Sequence, residues 1–208
     1  MFNYLPCLIQ FFSNIHVPHG DKKITADLAR LGGDRIVKIE WDGFRGKVSA
    51  WNKEKLNETG KIIEQSRIRM GIGKSDVLVD EDGLGGGVVD YEGYKGFVNN
   101  ASPLPSPDAS PETFDKHGKA PKENYDNLKS QCSFRMADRI NKGGLYLEAE
   151  DEEMKNLIIE EMEQVKQKEL DSDLKKGVVP KKKVKEKLGR SPDFWDAIMM
   201  RELFELKL

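Results

Sequence analysis

The chain has 208 residues, 38% of them hydrophobic and 34% charged, and a formal net charge of −2. That length suits one large domain or one domain with appendages, and the balanced charge excludes a global field for nucleic acid, so any such binding needs a local patch. Two cysteines, Cys7 and Cys132, exclude a disulfide framework and a zinc site and leave a reduced, cytoplasmic setting as the expectation.

At the N-terminus, MFNYLPCLIQFF is apolar but lacks a basic leader region, and no apolar run reaches the length of a membrane span. It reads as a docking segment or as the tail of an upstream domain, so residues 1–20 are expected to be an extension and 21–208 the domain proper. KKITADLAR predicts a strand ending in Asp27. RIVKIEWDGF and RGKVSAWN predict two more around the Asp42-Gly43 turn signal. From Lys53 to Met70, Leu56, Ile62 and Ile63 have helical spacing. DVLVD then reads as a central strand buried on both faces. It runs into Asp80, Glu81 and Asp82 and a glycine cluster, Gly83, Gly85, Gly86 and Gly87. KGFVNN predicts a further strand.

The proline-rich stretch 101–121 predicts a flexible loop. Tyr125, Leu128, Cys132, Met136 and Ile140 mark a helix, GLYLEA a short strand, and Met154, Ile158, Met162 and Val165 an amphipathic helix. Lys175 to Arg190 carries eight Lys/Arg against the single acid Glu186. SPDFWDAIMMRELFEL predicts a last helix. The order fits an α/β fold, a mixed sheet of five or more strands with helices on both faces. In it the crossover helix lays the fourth strand beside and parallel to the first.

In that arrangement Asp27 and Asp80 fall at equivalent ends of neighbouring strands. Two bare carboxylates there repel and are costly to bury, and a divalent cation with oxygen ligands, Mg²⁺ or Mn²⁺, removes the cost. In the last helix Ser191 is the expected cap, Pro192 the first helical residue, and Asp193 a first-turn acid that capping explains. Asp196 shares a face with Asp193, Met200 and Leu203. Arg201, Glu202 and Glu205 fall on the other side, expected to meet solvent, so Asp196 is expected to face the core and need a partner. Three aspartates from two strands and a helix suit two-ion phosphodiester hydrolysis, in which ions about 3.5–4 Å apart activate water and stabilise the leaving oxygen.

TADLARLGGD, VDEDGLGGGVVD and SPDFWDAI resemble the three acidic motifs of the nuclease domain of phage large terminase subunits, which has a ribonuclease H-like fold. NYDNLKSQCSFRMADRINKG is similar to the helix those domains carry between the second and third motifs. The resemblance covers most of the chain. It implies that Asp27, Asp80 and Asp196 are catalytic and hold two Mg²⁺ or Mn²⁺, with Asp193 auxiliary. It further implies endonucleolytic cutting of concatemeric double-stranded viral DNA in the host cytoplasm, with an ATPase motor, the portal or the small terminase subunit as partners. The chain departs from the family in having no room for that motor and no phosphate-binding loop: GIGKS has Ile68 where the pattern needs glycine.

Lys181, Lys182, Lys183 and Lys185, with Arg190, are candidates for DNA phosphate contact, against a plain solvated loop. Asp34 is a turn acid or an outer contact of the site. His16, His19 and His117 lack ligand spacing. Trp41, Trp51 and Trp195 are expected in the core, and Tyr91 and Tyr94 to be packed. Two rival readings remain, a junction-resolving nuclease of the same fold and a non-catalytic packaging or docking remnant.

Overall fold

The structure, a computed structural model, describes residues 10–28, 35–52, 56–81, 85–105, 116, 124–168 and 175–206. Six strands form one sheet: β1 (Lys22–Asp27), β2 (Ile36–Asp42), β3 (Arg45–Trp51), β4 (Val77–Asp80), β5 (Lys95–Phe97) and β6 (Tyr146–Glu148), in the spatial order β5-β4-β1-β2-β3-β6. β1, β2 and β3 are an antiparallel meander. β4 runs parallel to β1, β5 parallel to β4 and β6 parallel to β3. Among the described residues six α-helices flank the sheet: α1 (Leu56–Met70), α2 (Gly85–Glu92), α3 (Leu128–Asn141), α4 (Glu152–Gln164), α5 (Lys181–Leu188) and α6 (Asp193–Met199).

The period of two along each strand sorts side chains between two cores. Ile24 and Ala26 of β1 and Val77 and Val79 of β4 face α1 and α2, where they bury Ile63 and Val88. Val37, Ile39 and Trp41 of β2, Leu78 of β4 and Phe97 of β5 face α3, α4 and α6. Full burial of one such aliphatic side chain contributes about 1.5–3 kcal/mol. The second face is also the one toward which Thr25 turns. Its hydroxyl donates to the Ala197 carbonyl of α6 at 2.7 Å and accepts from Trp41 Nε1 at 2.9 Å. The same alternation sends Asp27 and Asp80 toward α6.

The hairpin between β2 and β3 turns at Gly43, whose φ of 64° and a would-be Cβ only 2.9 Å from the Pro18 carbonyl both demand glycine. Pro18 belongs to the stretch expected to be an extension. Its described part, from residue 10, is bound into the domain: Phe11 and Val17 are buried. The Phe11 carbonyl accepts from Leu147 N–H at 3.1 Å, and Arg45 donates to the Ile15 and Val17 carbonyls.

Several elements differ from the sequence reading. α3 starts at Leu128, because the Asn127 side chain caps it by accepting from Ser130 N–H at 2.9 Å, so Tyr125 lies outside the helix. The basic stretch is not a loop throughout: Lys181–Leu188 is helical, stopped by Gly189 at φ 71°. α6 ends at Met199 and tightens into a 3₁₀ turn over Met200–Glu205. That tightening rotates Arg201 and Glu202 inward, and both are buried rather than solvent-facing. Ser191 is not the cap of α6. Pro192 occupies that position without a side-chain bond. Glu161 of α4 takes over the role, its Oε2 accepting from Trp195 N–H at 2.9 Å. Trp41 and Trp195 are core residues, Trp51 packs on the smaller core, and Tyr94 is buried. Tyr91, expected to pack, is instead 88% exposed.

Candidate metal centre

Parallel pairing brings Ala26 of β1 opposite Val79 of β4, so the next residues, Asp27 and Asp80, leave the two strands side by side. α6 packs across β1 and β2 and supplies Asp196. One carboxylate oxygen from each of Asp27, Asp80 and Asp196 lies within 4.8 Å of the others, and all three residues are buried. This is the convergence that the order of elements predicted.

The acids are not left bare. Lys129 Nζ donates to Asp196 Oδ1 at 2.6 Å. Lys181 Nζ lies 2.8 Å from Asp196 Oδ2 and 3.7 Å from Asp27 Oδ2. Asn99 Nδ2 donates to Asp80 Oδ1 at 3.0 Å. The sequence offered no cation near Asp196 along the chain, and the fold supplies two from elsewhere. Lys181 had been read as a DNA contact. Lys129 and Asn99 were missed, because a lysine in the first turn of a helix and an Asn-Asn pair after a strand carry no local mark of where tertiary structure will aim them.

Charge balance still favours a further cation. Asp27 Oδ2 is buried without a hydrogen-bond donor, the Lys181 ammonium standing 3.7 Å away, and Asp196 Oδ2 is buried against that same ammonium at 2.8 Å. Burial pushes the Asp27 carboxyl well above the ordinary range. Lys181 opposes that rise, while Asp196, Asp80 and Asp193 add to it. For Asp196 burial is the largest single influence and upward, yet Lys129 and Lys181 together carry it below the ordinary value. Lys181 in turn is held above the usual lysine range: burial works against it, and Asp196 and Asp27 overcome it. Carboxylate oxygens crowded this closely, Asp27 Oδ2 among them without a donor, fit a hard divalent ion. The donor set of oxygens alone suits Mg²⁺ or Mn²⁺ and not a soft metal.

Asp193 sits at the start of α6 and its Oδ2 accepts from Arg35 N–H at 2.9 Å, so it ties the entry of β2 to the closing helix. Capping alone does not account for it. A cleft of about 740 Å³ opens against Asp80, lined by Asn99, Asn127, Lys129, Lys168 and Lys181. Lys182, Lys183 and Lys185 are exposed on α5. Arg190 is not available in the same way: its guanidinium is engaged by Glu161, Glu160 and the Leu157 carbonyl of α4. GIGKS forms no phosphate loop, as Lys74 Nζ is spent on the Glu92 carbonyl. Asp34, Asp82, Gly83, His117 and Cys7 lie outside the described residues.

A mixed sheet in this order, with carboxylates leaving β1 and β4 and a third on the helix laid over them, is the ribonuclease H-like arrangement. Within that class the structure matches nuclease domains of phage large terminase subunits. The nuclease domain of the large terminase subunit gp2 of bacterial virus Sf6 superposes with a TM-score of 0.75 at 18% identity, over 96% of this chain and 97% of that one. A lysine-to-alanine mutant of the same domain, with manganese and beta-thujaplicinol, gives 0.72 at 18% over the same shares. The large terminase nuclease from thermophilic phage G20c gives 0.53 at 14%, over 89% of this chain and 82% of that one. No family profile and no curated protein sequence matches the chain. No helix among the described residues is long and apolar enough to cross a membrane.

Proposed function

We propose that this chain is a divalent-metal-dependent endodeoxyribonuclease, the cutting domain of a phage-type DNA-packaging terminase. The observation that carries the reading is the meeting of Asp27, Asp80 and Asp196 within 4.8 Å, oxygen to oxygen, on a ribonuclease H-like sheet. The matched Sf6 domain with manganese supports the choice of ion. Asp27, Asp80 and Asp196 would hold two Mg²⁺ or Mn²⁺, with Asp193 close behind them. Such a pair, when bound, lowers the pKa of water and stabilises the leaving oxygen.

The chain's own residues have three tasks. The aspartates fix the position of the reacting phosphate relative to the sheet. The cleft beside Asp80 gives a DNA strand a seat of the size usual for ligand sites. Lys182, Lys183 and Lys185 on the exposed side of α5 would contact phosphates along the duplex without reading sequence. Lys181 differs from them: it faces Asp27 and Asp196 and would compete with an ion held there.

Incubation of supercoiled plasmid with the chain and Mn²⁺ tests the reading. The expected result is nicking and linearisation, abolished by EDTA and by Asp80→Ala. Equal cutting by the Asp80→Ala protein removes the assignment, and a parent chain that binds Mn²⁺ but never cuts removes the enzymatic reading.

A further inference from the structure

One carboxylate oxygen on each of two of the three aspartates is held from a single junction. Asn99 follows β5 by two residues, and its Nδ2 donates to Asp80 Oδ1 at 3.0 Å. Its own carbonyl accepts from Lys129 N–H at 3.1 Å, and Lys129 Nζ donates to Asp196 Oδ1 at 2.6 Å. Around this link the exit of β5 is stitched to the first turn of α3. Leu128 N–H donates to the Ala101 carbonyl at 2.8 Å, and Asn127 Nδ2 to Asn100 Oδ1 at 3.3 Å. Three of the backbone donors that a helix start leaves without intrahelical partners, on Leu128, Lys129 and Ser130, are satisfied there. The junction is therefore rigid, and both side chains leave it in fixed directions.

The two lysines on Asp196 are not equivalent. Lys129 is only 13% exposed and springs from this anchored turn, and it takes Oδ1. Lys181 is 40% exposed, starts a short helix, and reaches Oδ2 of Asp196 at 2.8 Å and Oδ2 of Asp27 at 3.7 Å. Lys181 would therefore compete with an ion for those oxygens, and Lys129 would not.

We propose that Asn99 and Lys129 are a positioning pair for the metal centre. Each fixes one oxygen of a metal-holding carboxylate and so sets the direction in which the other oxygen points. Asn99 does this with a neutral donor, orienting Asp80 without adding a positive charge to the site. Lys129 does it at a cost in negative charge, which rigid placement of Asp196 offsets. Donors of this kind behind metal ligands typically contribute about 10- to 100-fold in metal affinity or activity. The proposal rests on the metal-dependent nuclease reading, but its primary readout is metal binding alone.

Isothermal titration of Mn²⁺ into the full chain, without DNA, separates the pair from a merely structural role. Asn99→Ala is expected to weaken Mn²⁺ binding about tenfold or more with an unchanged circular dichroism spectrum. Asn99→Ser, too short to reach Asp80, is expected to do the same and serves if the alanine variant does not fold. Lys129→Ala removes a competing positive charge, so Mn²⁺ binding is expected to hold or tighten, while nicking at saturating Mn²⁺ falls about tenfold. Lys129→Arg restores part of the rate. A structural role would move both quantities downward together in the Lys129→Ala protein and alter the circular dichroism of the Asn99 variants. Mn²⁺ binding by both Asn99 variants within twofold of the parent overturns the pair even if the parent cuts DNA. A parent that binds Mn²⁺ without cutting overturns only the nuclease reading.

Discussion

The same two elements bring together two buried ionic clusters, and the clusters are built on different terms. α3 supplies Lys129 to one and Arg135 and Arg139 to the other. α6 and its 3₁₀ extension supply Asp196 to the first and Glu202 to the second. In the Glu202 cluster one acid, fully buried, meets two guanidinium groups. Arg139 reaches both of its oxygens and stacks on Phe44, with Arg201 against the same ring. In the aspartate cluster three acids share two ammonium groups, and Asp27 Oδ2 has no hydrogen-bond donor. Arginine, planar and always charged, closes an ion pair, whereas lysine is a point charge on a flexible stem. Burial of charge is common to both clusters. What singles out a site is an excess of one sign with incomplete pairing, held in part by a cation that can leave, Lys181.

That contrast predicts opposite outcomes for substitution, and the pair of experiments is the largest effect expected here. Asp27→Asn is expected to reduce Mn²⁺-dependent nicking to background while the protein melts at or above the parent temperature at neutral pH. The asparagine keeps the shape and relieves the repulsion from Asp80 and Asp196 that raises the Asp27 carboxyl. Glu202→Ala removes the fully buried acid and leaves the half-buried Arg139 and Arg135 without their counter-charge. It is expected to lose about 3–5 kcal/mol in urea unfolding, the usual result of removing one partner of a buried pair. A destabilised Asp27→Asn protein, or a Glu202→Ala protein as stable as the parent, breaks the distinction.

A smaller effect tests the claim that Lys181 of the aspartate cluster can leave. Unit charges 4 Å apart interact by about 4 kcal/mol at an effective dielectric of 20, and the partial exposure of Lys181 screens away much of that. Lys181→Ala is therefore expected to tighten Mn²⁺ binding about tenfold, read by titration calorimetry, without loss of fold. Weaker binding in that variant shows instead that Lys181 organises the acids.

The meander, the parallel fourth strand and the meeting of Asp27 with Asp80 were legible because they depend on local signals: alternation, the Asp42-Gly43 turn and a crossover helix between two apolar strands. Asp196 was assigned inward for a partly mistaken reason. The helix does not continue, and Arg201 and Glu202 are as buried as Asp196 because arginines from α3 and the Gly43 carbonyl receive them. No amphipathic pattern within one helix reveals that another helix carries matching charge. Lys129, Asn99 and the clamp of Arg190 on Glu161 were hidden for the same reason, each depending on a contact between residues far apart in the chain. The register of one element against another decides such contacts.

A third carboxylate, outside both clusters, shows what ordinary pairing looks like and sharpens the comparison further. Glu64 of α1 accepts from Arg67 Nε at 2.7 Å and from the Tyr94 hydroxyl at 2.7 Å. It is partly exposed and fully partnered, with no crowding acid. Arg67 foremost, then Tyr94 against the opposing influence of burial, lowers its carboxyl from 4.5 to about 2. The unfolded chain therefore takes up this proton before the folded one does. The stabilisation is present above 4.5 and is lost as the pH falls toward about 2. Glu64→Gln is expected to make the acid-side fall in stability shallower, with nicking and Mn²⁺ binding at neutral pH unchanged. Urea midpoints on either side of that window check the slope. The sign is opposite to that at Asp27, whose raised carboxyl makes ionisation a burden on the fold. If Glu64→Gln leaves the slope untouched, the acid sensitivity of this fold arises in other carboxylates and the Arg67–Glu64–Tyr94 contact contributes nothing measurable.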